Sequence, residues 1–577
     1  MVNIKINGKP VEVQEGKTIL EAARENNIHI PTLCYLKDLN QIGACRMCLV
    51  EIKGARALQA ACVYPVSEGL EIYTNSAKVR NARKATLELI LSNHERKCLT
   101  CIRNRNCELQ KLCDELGIED IRYEGKNIEY ELDTSSPSLV RDNNKCILCR
   151  RCVAACKNQG ISVIDCVERG FNTHIAPYFE KPINDAACIY CGQCIVACPV
   201  GALYEKNDIP QVNDAIDDSE KHVVVQVAPA VRAALGEEFG LPIGTPVTGK
   251  MVAALKRLGF DKVFDTDTGA DLTIMEEGTE FIERFTKGEN LPIITSCSPG
   301  WVKYCEHNYP EFLPNLSTCK SPMEMFGAVI KSYYAEKEGI NKDKIFSVAV
   351  MPCTSKKFEA SRSEHTTSGG RDIDVSLTTR ELARMIKQAG IDFVNLPDEQ
   401  FDTPFGEATG AGVIFGTTGG VMEAAIRTVY EILEKKPLDD LDVKAVRGLD
   451  GVKEVTLKIA GKDVKVAIVH GTKNAKTSLE KIKNGEKYDF IEIMACPGGC
   501  IHGGGQPIVD ARVKADVDVK AKRAEALYSE DRNAKMRKSH ENPVIIKLYE
   551  EFFGEPCGHK SHELLHTHYV DRSDIRA

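Results

Sequence analysis

The chain opens on two short alternations of apolar and polar residues, VNIKI and KPVEV, either side of Asn7-Gly8. An Asn-Gly pair between alternating runs predicts a β-hairpin, because both residues accept the positive φ that a tight turn of this hand requires. TILEAARENN follows, with Thr18 and Glu21 in capping-box spacing, and predicts a short helix. A different pattern starts near residue 222. HVVVQVAP is a continuous apolar run of the kind buried on both faces of a sheet. Helical periodicities then alternate with LPIITSC, IFSVAVMPC, GVIFG and YDFIEIMAC, all predicted as strands. Such alternation predicts an α/β domain with its sheets covered by helices. Three of those strands run directly into a cysteine, and strand ends are where such folds place their sites.

With 577 residues the chain exceeds one hydrophobic core. Four units are predicted: 1–78, 79–125, 126–209 and 210–577. Together they make a multidomain α+β and α/β protein, with ferredoxin-like modules ahead of a larger α/β domain. Hydrophobic residues are 43% and charged residues 27%, an ordinary soluble balance. The net charge of −8 argues against nucleic-acid binding. No apolar run reaches the ~18 residues of a membrane span, and MVNIKINGKP has no signal-type apolar stretch, so a cytoplasmic location is expected.

The 24 cysteines change the picture. Seventeen lie within residues 34–198 and seven in the 379 residues that follow. Clustered thiols in a large chain without an export signal point to metal rather than disulfides. Cys34, Cys45, Cys48 and Cys62 surround a glycine-containing loop after the predicted helix. They suit a 2Fe–2S cluster, with a four-cysteine zinc site as the alternative. The hairpin–helix–loop order resembles plant-type ferredoxins, although the first gap is longer. HERKCLTCIRNRNC supplies His94, Cys98, Cys101 and Cys107, one imidazole and three thiolates for a 4Fe–4S cluster; zinc would accept the same set. Cys113 is spare. CILCRRCVAAC and CIYCGQCIVACP form an internal repeat with the spacing of bacterial two-cluster ferredoxins, in which the fourth cysteine ligates the other cluster. Cys146, Cys149 and Cys152 therefore pair with Cys198, and Cys188, Cys191 and Cys194 with Cys156. Cys166 is left over.

TSCSPGW (295–301), MPCTSKKFE (351–359) and EIMACPGGCIHGGGQP (492–507) together closely resemble the three signatures of iron-only, or FeFe, hydrogenases. The front end resembles the four-cluster arrangement of the larger clostridial members, and GHKSHELLHTHY resembles the family's C-terminal segment. The resemblance implies reversible reduction of protons to H2 at an H-cluster, a 4Fe–4S cube joined to a two-iron unit with CO, CN and a bridging dithiolate. Cys353, Cys496 and Cys500 would hold the cube, Cys500 being shared with the two-iron unit. Lys356 would hydrogen-bond a cyanide. Met351, Met494, Pro229, Ala230, Pro322 and Phe415 would line the cofactor, and both methionines are equally compatible with plain core packing. Ala230 stands where members often carry serine.

At TSCSPGW the family usually has two adjacent cysteines, the first relaying protons and the second ligating the cube. The second position here is Ser298. In one reading the register is kept, so that Cys297 relays protons and Ser298 faces the cube. In the other the loop shifts and Cys297 becomes the fourth thiolate. The preference of iron–sulfur iron for soft thiolate favours Cys297 as ligand. The family's proton route maps onto Glu277, Glu280, Ser317 and Arg284. Glu277 and Glu280, three apart, would share a helix face, for which a solvated acidic face is the bland alternative.

Electrons would come from a ferredoxin or flavodoxin, for which Arg96, Lys97, Arg103 and Arg105 make a docking patch, a solvated basic face being equally compatible, and maturation proteins would supply the cofactor. Two rivals remain. An iron–sulfur subunit of an NADH- or formate-linked complex would share the front end but not MPCTSKK or MACPGGC. A hydrogenase-like assembly or sensor protein gains weight from Ser298 and Ala230. No GxGxxG lies in a strand–turn–helix context, which argues against direct NADH use.

Overall fold

A computed structural model describes residues 1–367 and 370–575. The predicted hairpin is β1 (Val2–Ile6) and β2 (Lys9–Val13), in the register Ile6↔Lys9 that the Asn7-Gly8 turn sets. β3 (Leu49–Ile52), β4 (Gln59–Ala60) and β5 (Glu71–Tyr73) complete a five-stranded sheet of order β2-β1-β5-β3-β4. The helix Ile19–Glu25 packs on it and carries the expected capping box between Thr18 and Glu21. This module has a core of its own, built on Ile4, Ile6, Ile19, Leu20 and Ile72.

β6 (Leu139–Arg141), β7 (Ile164–Val167), β8 (His174–Pro177) and β9 (Leu203–Glu205) make two ribbons, β6 with β9 and β7 with β8. The two copies of the cysteine repeat each lead into a short helix, Arg151–Asn158 and Gln193–Ala197, that begins after a left-handed residue, Arg150 or Gly192.

The large domain holds two four-stranded sheets. β10 (His222–Val227), β11 (Lys262–Asp265), β13 (Ile345–Met351) and β14 (Val375–Thr378) form the parallel order β11-β10-β13-β14. β12 (Ile293–Ile294), β15 (Val452–Ile459), β16 (Lys462–His470) and β17 (Phe490–Met494) form β12-β17-β16-β15, with only β15 antiparallel. The strand expected at GVIFG is instead a helix, Gly410–Ile414, N-capped by the Thr409 hydroxyl on Gly412 N–H. A short apolar run is compatible with either element. Here Gly410 and Gly412 allow a helix to lie against the backbones of Asp531 and Asp267, where a Cβ would come within 3.0 and 2.6 Å of their main-chain atoms.

The largest core is shared between modules. Leu87, Leu109, Ile183 and Ile195 of residues 79–209 belong to one apolar cluster with Trp301, Val469 and Ile493 of the large domain. Trp301 is fully buried there, its indole N–H donating to the Thr295 carbonyl at 3.1 Å.

Candidate functional site

The ends of β10, β12, β13 and β17 converge on one cavity. Cys353, Cys496 and Cys500 line it, together with Cys297 and Ser298. All the residues expected around the cofactor are present: Pro229, Ala230, Pro322, Met351, Lys356, Phe415 and Met494. Its walls are otherwise almost wholly apolar, and glycine backbone closes one side. Gly499 has φ +92°, and a Cβ there would meet Thr418 N at 2.7 Å. Three thiols on one cavity and a wall too close for side chains fit an inorganic cluster held by thiolates.

TSCSPGW forms the connection between β12 and the next helix. The helix Pro299–Asn308 starts directly after Ser298, as proline at its first position allows. Ser298 Oγ accepts the Ala495 N–H at 3.1 Å, one residue before Cys496, and Thr295 Oγ accepts Ile493 N–H at 3.1 Å. The loop is thereby stitched along the strand that ends at Cys496. Burial and then the Glu277 carboxylate push the pKa of the Cys297 thiol well above the usual thiol value, and Cys500 and Lys356 are its next charged neighbours.

Lys356 Nζ donates to Ser321 Oγ at 2.7 Å and to the Cys297 carbonyl at 3.3 Å. Burial works against its charge, but Glu359 at 2.6 Å holds its pKa above the ordinary lysine value. Ser321 and Glu359 were not legible beforehand, since neither lies in a recognisable ligand spacing.

Glu277 and Glu280 both sit on the helix Thr266–Lys287, and both are buried, not on a solvated face. Burial first, then the neighbouring Glu280, raises Glu277 to about 8, with the Ser317 hydroxyl opposing. Glu280 accepts Ser317 Oγ at 2.8 Å, Thr318 Oγ at 3.0 Å and the Arg284 guanidinium at 2.6 Å. Arg284, half-buried, is the outermost member of the set. Glu492, missed on sequence, lies nearby and is raised to about 7 by burial, while the N–H groups of Met422 and Gly419 oppose the shift.

The front-end cysteines fall into the expected groups. Cys34 N–H donates to Cys45 Sγ at 3.3 Å, and Cys48 lies against Cys62. Cys146, Cys149, Cys152 and Cys198 line one small cavity. Cys188 and Cys191 are mutual electrostatic neighbours of Cys194 and Cys156. His94, Cys98, Cys101 and Cys107 line another cavity with the spare Cys113. His94 is buried and its Nδ1 makes no hydrogen bond among the described residues. A buried, unpartnered imidazole nitrogen facing three thiols fits ligation of a cluster. Of the basic residues expected to dock a carrier, Arg103 is turned inward: it is buried, donating to the Asn106 carbonyl at 2.6 Å and the Cys198 carbonyl at 3.3 Å. Arg96, Lys97 and Arg105 are exposed, with Lys97 paired to Glu95.

Four contacts join these groups to one another and to the cavity. Asn40 Nδ2 donates to the carbonyls of Cys34 (2.8 Å) and Cys149 (3.0 Å). A Cβ on Gly201 would come within 2.7 Å of Cys101 Sγ, so the loop after Cys198 presses on the His94 group. Gly504 packs so closely on the Cys191–Gly192 backbone that a Cβ would meet the Cys191 carbonyl at 2.2 Å, and Thr354 Oγ donates to the Tyr190 carbonyl at 2.6 Å.

Known proteins match the chain along its whole length. Residues 221–504 match the C-terminal domain of the iron-only hydrogenase large subunit, and 517–572 match the iron hydrogenase small subunit. Residues 1–77 match a 2Fe-2S iron-sulfur cluster binding domain, 83–122 an NADH-ubiquinone oxidoreductase-G iron-sulfur binding region, and 145–202 a 4Fe-4S dicluster domain. The NADP-reducing hydrogenase subunit HndD of Solidesulfovibrio fructosivorans is 49% identical over 100% of both chains. Iron hydrogenase 1 of Clostridium pasteurianum is 45% identical over 99% of this chain and 100% of its own. The solved structure of apo [FeFe]-hydrogenase HydA1 from Chlamydomonas reinhardtii has a TM-score of 0.56 and 43% identity, covering 64% of this chain and 100% of that one. The chain belongs to the iron-only hydrogenases, in the form that carries N-terminal iron–sulfur domains. None of its helices is long and apolar enough to cross a membrane, among the described residues.

Proposed function

We propose that this hydrogenase interconverts protons and H2 at an H-cluster held by Cys353, Cys496 and Cys500, with electrons delivered through four front-end clusters. The observation that supports it is the single cavity where those thiols meet the cofactor-lining residues and the inner end of a buried acid chain. When bound, the cofactor would supply the iron on which H2 is made or split. The protein's own part is to exclude water, orient the cofactor and move protons. Cys297 is the innermost proton carrier: its raised pKa keeps the thiol protonated near neutrality, facing Glu277. Glu277, poised near 8, exchanges protons with it, and Ser317 Oγ links Glu277 to Glu280 and Arg284 outside. This reading reverses the ligand assignment favoured on sequence. Cys297 relays, and Ser298 faces the cube.

The electron route has two entrances in this reading: a 2Fe–2S cluster on Cys34, Cys45, Cys48 and Cys62, and a 4Fe–4S cluster on His94, Cys98, Cys101 and Cys107. Both adjoin the cube of Cys146, Cys149, Cys152 and Cys198, the first through Asn40 and the second through Gly201. The cube of Cys156, Cys188, Cys191 and Cys194 then abuts the active cavity at Gly504. The units 1–78, 79–125, 126–209 and 210–577 are the corresponding domains. A ferredoxin or flavodoxin is the proposed donor, meeting exposed Arg96 and Arg105. A second donor is favoured by one observation: the relative HndD, similar over its full length, is named as a subunit of an NADP-reducing hydrogenase. An iron–sulfur partner subunit would then take the carrier's place.

Reconstitution tests the whole. Iron and sulfide alone should load about eighteen irons, two plus four cubes of four. Installing the two-iron unit should then give infrared bands of CO and CN together with H2 evolution from reduced methyl viologen. A loaded protein with those bands and no H2 would overturn the hydrogenase reading in favour of a sensor or assembly role. Iron near ten would remove the front-end assignment.

A further inference from the structure

Glu280 has a second buried partner chain, which the route through Arg284 does not use. Thr318 Oγ bonds Glu280 Oε1 at 3.0 Å and also lies 2.7 Å from His566 Nδ1. His566 Nε2 lies 3.1 Å from Glu276 Oε2. Glu276 is fully buried and is held by the Tyr549 hydroxyl at 2.5 Å and by the Cys557 N–H at 2.7 Å. The His566 ring touches that of His562, centroids 4.2 Å apart, and His562 is exposed. Hydrogen bonds therefore run from Glu280 through Thr318 to His566 and Glu276, and the ring of the exposed His562 lies against that of His566. It comes from parts of the chain far apart in sequence: the helix Thr266–Lys287, the LSTC loop and the C-terminal helix His559–Leu565.

We propose that His566 is a second proton outlet from Glu280, working in parallel with Arg284. It rests on the proton route given above. For H2 production, a proton enters by way of the exposed His562 and is taken up at Nε2, where the Glu276 carboxylate stabilises the imidazolium. Nδ1–H passes its proton to Thr318 Oγ, and the threonine hydroxyl proton moves to the Glu280 carboxylate. Each step transfers one proton, and the threonine ends with its hydroxyl intact. Imidazole suits this because its two nitrogens bond different partners and can gain and lose protons near neutrality. The titratable groups facing His566 are Glu276 and Glu280 from the long helix, Cys319, Tyr549, Cys557 and His562. A bland role is also available, since the same segment is pinned by Lys320 N–H on the Leu565 carbonyl and Thr567 N–H on the Thr318 carbonyl. As a positioning residue, His566 must show a signature that pinning lacks.

The holoenzyme is assayed with reduced methyl viologen in H2O and D2O. His566→Ala should lose roughly threefold to tenfold in turnover, less than the ~10²-fold or more of losing a sole proton carrier, and should gain in solvent isotope effect. Added imidazole should restore the rate without changing the melting temperature. Blocking both outlets, with Arg284→Leu added, should cost more than the product of the single losses. Should His566→Ala fold poorly, His566→Gln keeps two hydrogen-bonding ends without an imidazole and should show the same rate and isotope effects. No imidazole rescue and simply multiplicative losses would overturn the proposal. So would zinc bound stoichiometrically to the Glu276, Cys557 and His566 set, read by metal analysis. Glu280→Gln separates the levels. If it keeps full rate, the main proton route falls. If it is inactive while the His566 variants match wild type, only the outlet falls.

Discussion

The ferredoxin-like repeat at 146–198 and the cavity around Cys353 hold their cysteines by different means. In the repeat, three cysteines of each group lie within seven residues, beside the start of a short helix. In the cavity, Cys353, Cys496 and Cys500 reach one point only because two sheets bring the ends of β13 and β17 together. Local spacing therefore specifies the first site and tertiary assembly the second. The first should tolerate changes elsewhere in the chain. The second depends on contacts such as Ser298 Oγ on Ala495 N–H and Thr295 Oγ on Ile493 N–H.

The largest expected effect tests the cavity side. Cys297→Ala should lower turnover by at least ~10²-fold while the cube keeps its EPR signal. Loss of that signal would return Cys297 to the ligand position. Ser298→Cys should act in the opposite direction, raising cube occupancy or rate, because thiolate binds iron better than hydroxyl. It also removes the acceptor for Ala495 N–H, so a fall in both would show that the hydroxyl's hydrogen bond outweighs its proximity to iron.

On the front-end side the effect should be smaller and confined to one cluster. His94→Ala should lose one iron–sulfur signal and leave the H-cluster infrared bands intact. His94→Cys should keep that cluster at a lower potential, since a thiolate adds negative charge beside the iron. An unchanged spectrum in His94→Ala would give the ligand place to another group, with Cys113 lining the same cavity.

The smallest effect is on stability. Glu277 stays protonated in the folded chain up to about pH 8, against an ordinary 4.5. The stability contributed by its neutral carboxyl is fully present below pH 4.5 and is lost as the pH rises to about 8, because unfolding then releases a proton. Glu277→Gln cannot ionise and lacks that loss. Its melting temperature relative to wild type should therefore climb by roughly 1–3 °C across that range. A constant difference would mean that Glu277 is ionised throughout.

What could be read beforehand follows the same division. The hairpin at Asn7-Gly8, the capping box at Thr18 and the strands leading into Cys353 and Cys496 rest on local chemistry, and all formed. GVIFG did not, because a five-residue apolar run has no period long enough to separate strand from helix. Arg103 looked like part of a basic surface, since charge pattern alone cannot show that a guanidinium turns inward to bond the Cys198 carbonyl. The buried state of Glu277 and Glu280 likewise depends on what packs over their helix. Ser321 and His566 act through partners distant in sequence and leave no spacing to find, whereas Glu359, three residues from Lys356, lies on the same short helix.

The division of the cores bears on how such a protein can be cut and recombined. Residues 1–78 own a separate apolar cluster; among the described residues Leu33, Met47 and the half-buried Cys45 of that module join the larger one, and Leu36 packs with Ala155, Ala197 and Ala511. The segment 79–209 has no such independence: its Leu87, Leu109 and Ile195 share a cluster with Trp301 and Ile493. The first module can therefore be shed or exchanged as a cassette with few apolar contacts broken. Removing the next two would leave Trp301 facing water on a surface built to be covered, so a shortened relative must have rewritten that face as well as dropped the modules above it.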